Sequence, residues 1–523
     1  MPSRQTHKSL FAEVLDSGKR YVFYCAAGVC SVPATQQMKK MGLEPVSQIG
    51  GGFSEWKYSG APIEEVKKTV SQDIQTYDLI IVGAGSGNMI PVPEMENWRL
   101  AIVEPDKFGG TCLNCGCIPS KMLLYPAEVA ETARHAAKLG VHHTLDRVDW
   151  QHIVARVWQK IDPIAAAGAA YRQSQPYITV YDQPAWFLEP RVLQTGSHRI
   201  TADRIVLGAG ARPVVPELPG LDTVPYHTSD TVMRLATQPE SILIIGGGYI
   251  GAEMASFFGG LGTHVTLVDR GGALIKNEDE EIAQAFTNIY KRRFDILLHA
   301  QAQQVRPSAG GVTVTFDIEG RSHEVTAQTL LFAAGRRPNS DRLNVKAAGL
   351  EVDDRGRVRV NAYMETSVPG IYAFGDLASP YQLKHIANAE ARLISKRLVG
   401  GAKTPMVYDG GPHAIFGHPQ VASVGLTERT AQQRDMDYVK ATRKYADTAY
   451  GWASEDTESF VKVVANATTR QLLGAHIIGP QASLLIQPLV QGMKYGQTVD
   501  EMAQVIYIHP ALTEVVEQAL LEL

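Results

Sequence analysis

No apolar run in this chain of 523 residues reaches the ~18 that a membrane-spanning helix needs, so a spanning protein is not expected. The opening stretch, MPSRQTHKSLFAEVLDSGK, lacks the apolar centre of a secretory signal. Charge of one sign is missing as well. Fifty Lys and Arg stand against 54 Asp and Glu, a net of −4, which gives no basic field to hold a nucleic acid or an anionic membrane. Cysteine is scarce, and the five present form two tight groups, at 25 and 30 and at 112, 115 and 117. That is no disulfide scaffold; it fits localised thiol chemistry in a reducing compartment, so the expected location is cytoplasmic, with no nucleic-acid or membrane partner. The length and a hydrophobic content of 45% point to three or four globular domains.

Glycine, at 47 residues, exceeds its usual ~7% and collects after apolar runs. Tyr77 to Val82 (YDLIIV) leads into Gly83, Gly85 and Gly87, and Ser241 to Ile245 (SILII) leads into Gly246, Gly248 and Gly251. Each reads as a buried parallel strand, a glycine turn and a helix start, the arrangement that lets main-chain N–H groups approach a pyrophosphate. The second copy is complete, and its next strand, His264 to Val268, ends in Asp269 at the spacing of a ribose-binding acid. The first copy departs from the pattern: Asn88 stands in place of the third glycine, and Pro91 and Pro93 would break a long helix. Its next strand, Leu100 to Val103, still ends in Glu104, a second candidate ribose acceptor. Asp269 argues for NAD, because a carboxylate repels a 2′-phosphate, whereas Arg270 and Lys276 offer cations to one. The balance leans slightly to NADPH, and both NADPH and NADH stay open.

The densest chemistry lies in GGTCLNCGCIPSKM, residues 109–122. Zinc is one reading of Cys112 and Cys115, but a structural site needs four ligands and no second pair accompanies them, so no metal is expected. Pro119 marks a helix start, with a helical stretch expected over Ser120 to Ala137, so the cysteines fall in or beside a first turn, where the helix dipole favours a thiolate. Inert buried thiols remain the plain alternative.

This segment, together with TSVPGIYAFGD (366–376) and HPALTE (509–514), resembles the flavin disulfide reductases, the family of dihydrolipoamide dehydrogenase and glutathione reductase. The likeness spans roughly residues 77 to 523. Within it, KIDPI (160–164), SPYQLKHIANAEAR (379–392) and YGWASEDT (450–457) look most like the mycothione reductase branch. The resemblance implies an α/β fold with two Rossmann-like dinucleotide-binding domains and an α+β dimerisation domain. It implies FAD over Gly83, Gly85 and Gly87, with Glu104, Thr111 and Asp376 among its contacts, and a nicotinamide dinucleotide at Gly246, Gly248 and Gly251, bordered by Asp269 and Arg270. Tyr249 would be a lid over the flavin, and Lys121, paired with Glu253, would sit beside the ring. A Cys112–Cys117 redox disulfide follows from the same resemblance, Cys117 facing the flavin and Cys112 attacking the substrate disulfide. His509, oriented by Glu514, would move the proton from a second subunit, which implies a homodimer. No cysteine follows Cys117, so a C-terminal thiol relay of the mercuric reductase kind is not expected. Cys115 is either a small apolar substitute or a competing disulfide partner.

Tyr24-Cys25-Ala-Ala-Gly-Val-Cys30 and the later IGGGFSEW (49–56) resemble the second half of a rhodanese domain. The expected organisation is a partial rhodanese-like α/β segment (1–70), an FAD-binding domain (76–230), an NAD(P)-binding domain (231–334), a return to the FAD-binding part (335–405) and a dimerisation domain (406–523), with a polar joint at Lys67 to Gln75. The expected function is NAD(P)H-linked reduction of a small-molecule thiol disulfide. The alternatives are dihydrolipoamide dehydrogenase and, in another class, a persulfide or sulfur-transfer protein using Cys25.

Overall fold

The computed structural model describes residues 21–23, 46–48, 73–142, 144–401 and 404–523. The chain divides into two compact units, Met1–Thr69 with Gly220–Pro225, and Val70–Pro219 with Tyr226–Leu523. In the first unit, strands β1 (Tyr21–Phe23) and β2 (Val46–Gln48) pair in parallel, Tyr21 opposite Val46. Cys25 and Cys30 lie outside the described residues.

In the second unit a seven-stranded sheet comes first. Its centre is β3 (Ile74–Val82), flanked by β4 (Leu100–Val103) and by β8 (His198–Leu207), with β5 (Ile178–Tyr181), β7 (Val192–Thr195) and β6 (Ala185–Glu189) outside them. Residues Leu79 to Val82 and the whole of β4 are buried, as expected of parallel strands covered on both faces. β3 begins at Ile74, inside the stretch read as a polar joint, because Ile74 and Gln75 extend the ladder to Arg199 and Ile200 of β8. Ile371–Ala373, far along the chain, returns to pair with β8, which makes the FAD-type sheet discontinuous in sequence.

The second sheet has the order β11 (Asp295–Leu297), β10 (His264–Val268), β9 (Ser241–Ile245), β12 (Thr329–Phe332), all parallel. Both glycine turns follow a central strand of their sheet. Gly83 has φ +101° and Gly246 φ +120°, and a Cβ would meet the carbonyl oxygens of Gly208 at 2.4 Å and Ala333 at 2.3 Å, so only glycine fits. The C-terminal sheet is antiparallel, in the order β13 (His413–Ile415), β14 (Val421–Gly425), β17 (Leu472–Ile478), β16 (Phe460–Asn466), β15 (Tyr438–Lys444).

Helices α1 (Gly110–Asn114), α2 (Cys117–His135) and α3 (Trp150–Gln173) follow β4; α4 (Tyr249–Gly260) follows the second glycine turn; α5 (Glu280–Lys291), α6 (Lys384–Leu398) and α7 (Glu514–Leu521) come later. One core ties α2, α3, α4 and α5 together: Trp150 of α3 stacks on Phe257 and Phe258 of α4 at 5.3 and 5.7 Å, and α2 contributes Leu123, Leu124 and Ala127. The active-site helix is thus locked against the helix that follows the second glycine turn. α2 begins three residues earlier than expected, at Cys117.

Candidate active site

A one-turn helix and the head of a longer one build the thiol centre. α1 is a single turn, capped by Cys115, whose N–H returns to the Thr111 carbonyl; Gly116 then turns the chain so that α2 opens at Cys117. This places the Cys112 sulfur over the head of α2, where it accepts from the N–H groups of Cys117 and Ile118 and shares a hydrogen bond with the Cys117 thiol. The three cysteines are free, so the 112/117 pair is in its dithiol form. The Cys117 thiol is the main cause that brings Cys112 down to about 7; burial opposes it, and Lys384 and the two N–H groups assist. The same hydrogen bond keeps the proton on Cys117, whose pKa is raised. Cys115 behaves differently. Burial, reinforced by the Asp230 carboxylate that its thiol meets, pushes it up to about 12, so it stays a neutral thiol beside the reactive pair.

One turn into α2, Lys121 Nζ lies 2.5 and 2.6 Å from the two oxygens of Glu253 on α4. Glu253 also accepts the Phe416 N–H at 3.0 Å, and the Lys121 ammonium lies over the Phe416 ring at 4.4 Å. The pairing expected of Lys121 and Glu253 is therefore present, and it joins three separate stretches of chain.

At the first glycine turn, Glu104 accepts the Ala84 N–H at 2.7 Å and the Asp106 N–H at 3.1 Å; burial nevertheless raises its pKa. The irregular third position has a structural reason. Arg172 of α3 donates to the Asn88 side chain at 2.7 Å and to its carbonyl at 2.6 Å, and a 3-10 turn, Ser86–Met89, replaces the longer helix that Pro91 and Pro93 forbid. Asp376 sits 3.5 Å from Arg336, and the same guanidinium donates to Thr111 at 3.5 Å, so Thr111 and Asp376 share one neighbour. Burial raises the Asp376 pKa despite that cation. Lys384 donates to Ser86 at 3.0 Å. A carboxylate at the strand end, glycine main chain and a partly buried acid–arginine pair fit a flavin dinucleotide.

At the second turn, Asp269 accepts from Gly247 N at 2.9 Å and Gly271 N at 2.7 Å, with Lys276 3.8 Å away; Arg270 is exposed. Gly248 has open space where a Cβ would stand, and Tyr249 is the first residue of α4, so this turn fits a second dinucleotide. His509 Nδ1 meets Glu514 Oε1 at 2.6 Å, and the other Glu514 oxygen accepts Ala511 N–H at 3.0 Å. The imidazole is 72% exposed, and among the described residues no hydrogen bond joins this pair to Cys112 or Cys117 within the chain. Sequence reasoning missed Lys384, Arg336 and Asp230; only Lys384 carried a signal, inside the 379–392 segment. No helix of the described residues is long and apolar enough to cross a membrane.

A cysteine pair at a helix head, set between two nucleotide-type glycine turns, defines a class. The chain matches the model for pyridine nucleotide-disulphide oxidoreductases over residues 77–392 and that family's dimerisation domain over 411–520, and it belongs to that family. It is therefore a flavin- and nicotinamide-dependent disulfide oxidoreductase. Residues 1–59 match a rhodanese-like domain. Among individual proteins, it is 45% identical to the mycothione reductase of Mycobacterium tuberculosis over 462 residues, 86% of this chain and 100% of the relative. It is 31% identical to the glutathione reductase of Burkholderia cepacia, covering 84% and 97%. The HOCl-induced flavoprotein disulfide reductase RclA of Escherichia coli, solved as a Cu(II) complex, superposes with a TM-score of 0.75 at 26% identity, covering 86% of this chain and 100% of that one.

Proposed function

We propose that the enzyme reduces the disulfide of a low-molecular-weight thiol of the mycothione kind, as a cytoplasmic homodimer carrying FAD. The observation that carries this reading is the Cys112 sulfur, stabilised as a thiolate over the head of α2 with the Cys117 thiol against it. The 45% identity to a mycothione reductase points to the substrate class. Cys112 attacks one sulfur of the substrate disulfide, forming a mixed disulfide and releasing the first thiolate, which takes a proton from His509 of the partner subunit. Glu514 holds that imidazole by its Nδ1–H, leaving Nε2 to carry the proton. Cys117 then surrenders its proton and attacks Cys112, closing the 112–117 disulfide and releasing the second thiol. A flavin held there would supply the two electrons that reopen this disulfide, drawn from a reduced nicotinamide dinucleotide. Gly83, Gly85, Gly87, Glu104, Thr111 and Asp376 would hold the flavin dinucleotide, and Lys121, fixed by Glu253, would place positive charge beside its ring.

Gly246, Gly248 and Gly251 would take the nicotinamide dinucleotide, with Tyr249 covering the route to the flavin. Asp269, held at the strand end by the Gly247 and Gly271 N–H groups, would repel a 2′-phosphate and supports NADH, whereas Arg270 and Lys276 beside it support NADPH. Steady-state rates with the disulfides of mycothiol, glutathione, coenzyme A and lipoamide, each with NADH and NADPH, test the reading. Mycothiol disulfide should lead by roughly tenfold or more in kcat/KM. Preference for lipoamide would make the enzyme a dihydrolipoamide dehydrogenase instead, and preference for glutathione or coenzyme A disulfide would also refute the assignment.

A further inference from the structure

The mechanism leaves a buried charged pair without a role. Glu278, just before α5, has a side chain only 1% exposed, and His413, the first residue of β13, one 20% exposed. His413 Nε2 lies 2.9 and 3.1 Å from the two Glu278 oxygens, while its Nδ1 faces the Gly411 carbonyl at 2.9 Å. Both ring nitrogens face acceptors alone, an arrangement that the imidazolium form satisfies on both sides. Burial opposes charge on either group, yet their contact outweighs it, moving His413 up and Glu278 down. Glu278 also accepts from Ser423 at 2.7 Å and from the Tyr249 hydroxyl at 2.9 Å. The Tyr249 ring lies against the imidazolium, centroids 5.7 Å apart and planes 18° from parallel.

The position of this cluster gives it a function. Tyr249 and Glu253 lie one turn apart on α4, hence on the same face. The strand stretch that brings His413 against Tyr249 also brings the Phe416 N–H to Glu253. The segments that build the Lys121–Glu253 corner therefore hold the tyrosine ring between them.

We propose that Glu278 and His413 are positioning residues that latch Tyr249 across the route from the second glycine turn to the Lys121–Glu253 pair. This rests on the reading of Tyr249 as a lid over the flavin that an entering nicotinamide displaces. A nicotinamide entering that route breaks one hydroxyl–carboxylate hydrogen bond and one ring stack. The latched form then competes with binding, and apparent affinity falls by the fraction of protein that is unlatched.

Calorimetric titration of the oxidised holoenzyme with NAD+ and with NADP+ reads this competition without turnover. Tyr249→Phe keeps the ring and removes only the hydroxyl; Glu278→Gln removes the charge. Each should tighten the preferred dinucleotide by roughly three- to tenfold, since Tyr249→Phe removes the hydrogen bond to a charged acceptor and Glu278→Gln removes the charge that strengthens it. The double variant should be no tighter than the tighter single, because both changes act on the same bond. Should Glu278→Gln fail to fold, His413→Gln, which loses the stacked cation, replaces it with the same expectation. Unchanged or weaker binding in Tyr249→Phe, or effects that multiply in the double variant, would overturn the latch. Tyr249→Ala separates the two layers. If it tightens binding while the hydroxyl and carboxylate variants do not, the lid stands and the latch falls; if it too changes nothing, the lid reading itself is wrong.

Discussion

Alkylation of the dithiol form gives the sharpest test of the thiol centre. Cys112 is brought to about 7, whereas a free cysteine ionises near ~8.5, so at pH 7 roughly half of Cys112 is thiolate against about 3% of a free thiol. That difference alone would make Cys112 about 15-fold faster. A thiolate of lower pKa is also a weaker nucleophile, however, by about fivefold over this interval. The net advantage at pH 7 is therefore only about threefold, rising to about sixfold at pH 6, while above pH 9 a free thiol reacts faster. The rate at one pH is thus a poor discriminator, and the midpoint is a good one. Enzyme reduced anaerobically with dithiothreitol would be treated with iodoacetamide from pH 5.5 to 9.5, and modification of each cysteine followed by peptide mass spectrometry. Cys112 should be labelled first with a midpoint about 7, and Cys115, held up to about 12, should stay unmodified. Lys384→Met should move the midpoint upward, because that ammonium favours the thiolate. A midpoint at or above the free-thiol value, or labelling of Cys115 before Cys112, would refute the arrangement.

Cys117→Ser removes the thiol that most stabilises the Cys112 anion; the alkylation midpoint should rise and disulfide turnover fall by roughly a thousandfold, measured with the preferred disulfide. Asp269→Ala should raise the NADPH-to-NADH ratio of kcat/KM by about tenfold, and an unchanged ratio would show that this carboxylate does not face the 2′ position. Gly251→Ala places a Cβ 1.8 Å from the Gly246 carbonyl oxygen, a backbone atom that cannot swing aside, so reduction by the nicotinamide should be lost while dithionite still bleaches the flavin. Cys25→Ser should leave disulfide reduction intact, and a large loss in steady-state rate would revive sulfur transfer by the amino-terminal segment.

The parts of this protein legible from its sequence are those whose chemistry is encoded within a few consecutive residues. The strand Ser241–Ile245 and its glycine turn announce themselves because a buried parallel strand is a continuous apolar run and only glycine tolerates the turn at Gly246. Cys112, Cys117 and Lys121 lie within ten consecutive residues, and His509 reaches Glu514 across five positions, so local spacing brings each set together. Glu104 and Asp269 were readable for the same reason, each standing at the end of the strand next to its glycine turn. Tertiary structure decided the rest. Lys384 lies 298 positions from the Ser86 hydroxyl it touches, and His413 lies 135 from Glu278; no pattern along the chain marks such pairs before packing creates them. Packing also decided which thiol ionises. Cys112, Cys115 and Cys117 are equivalent as letters, but one sulfur faces the open N–H groups of a helix head and another faces a buried carboxylate, and the ionisation of a thiol follows the field at its sulfur rather than its place in the sequence.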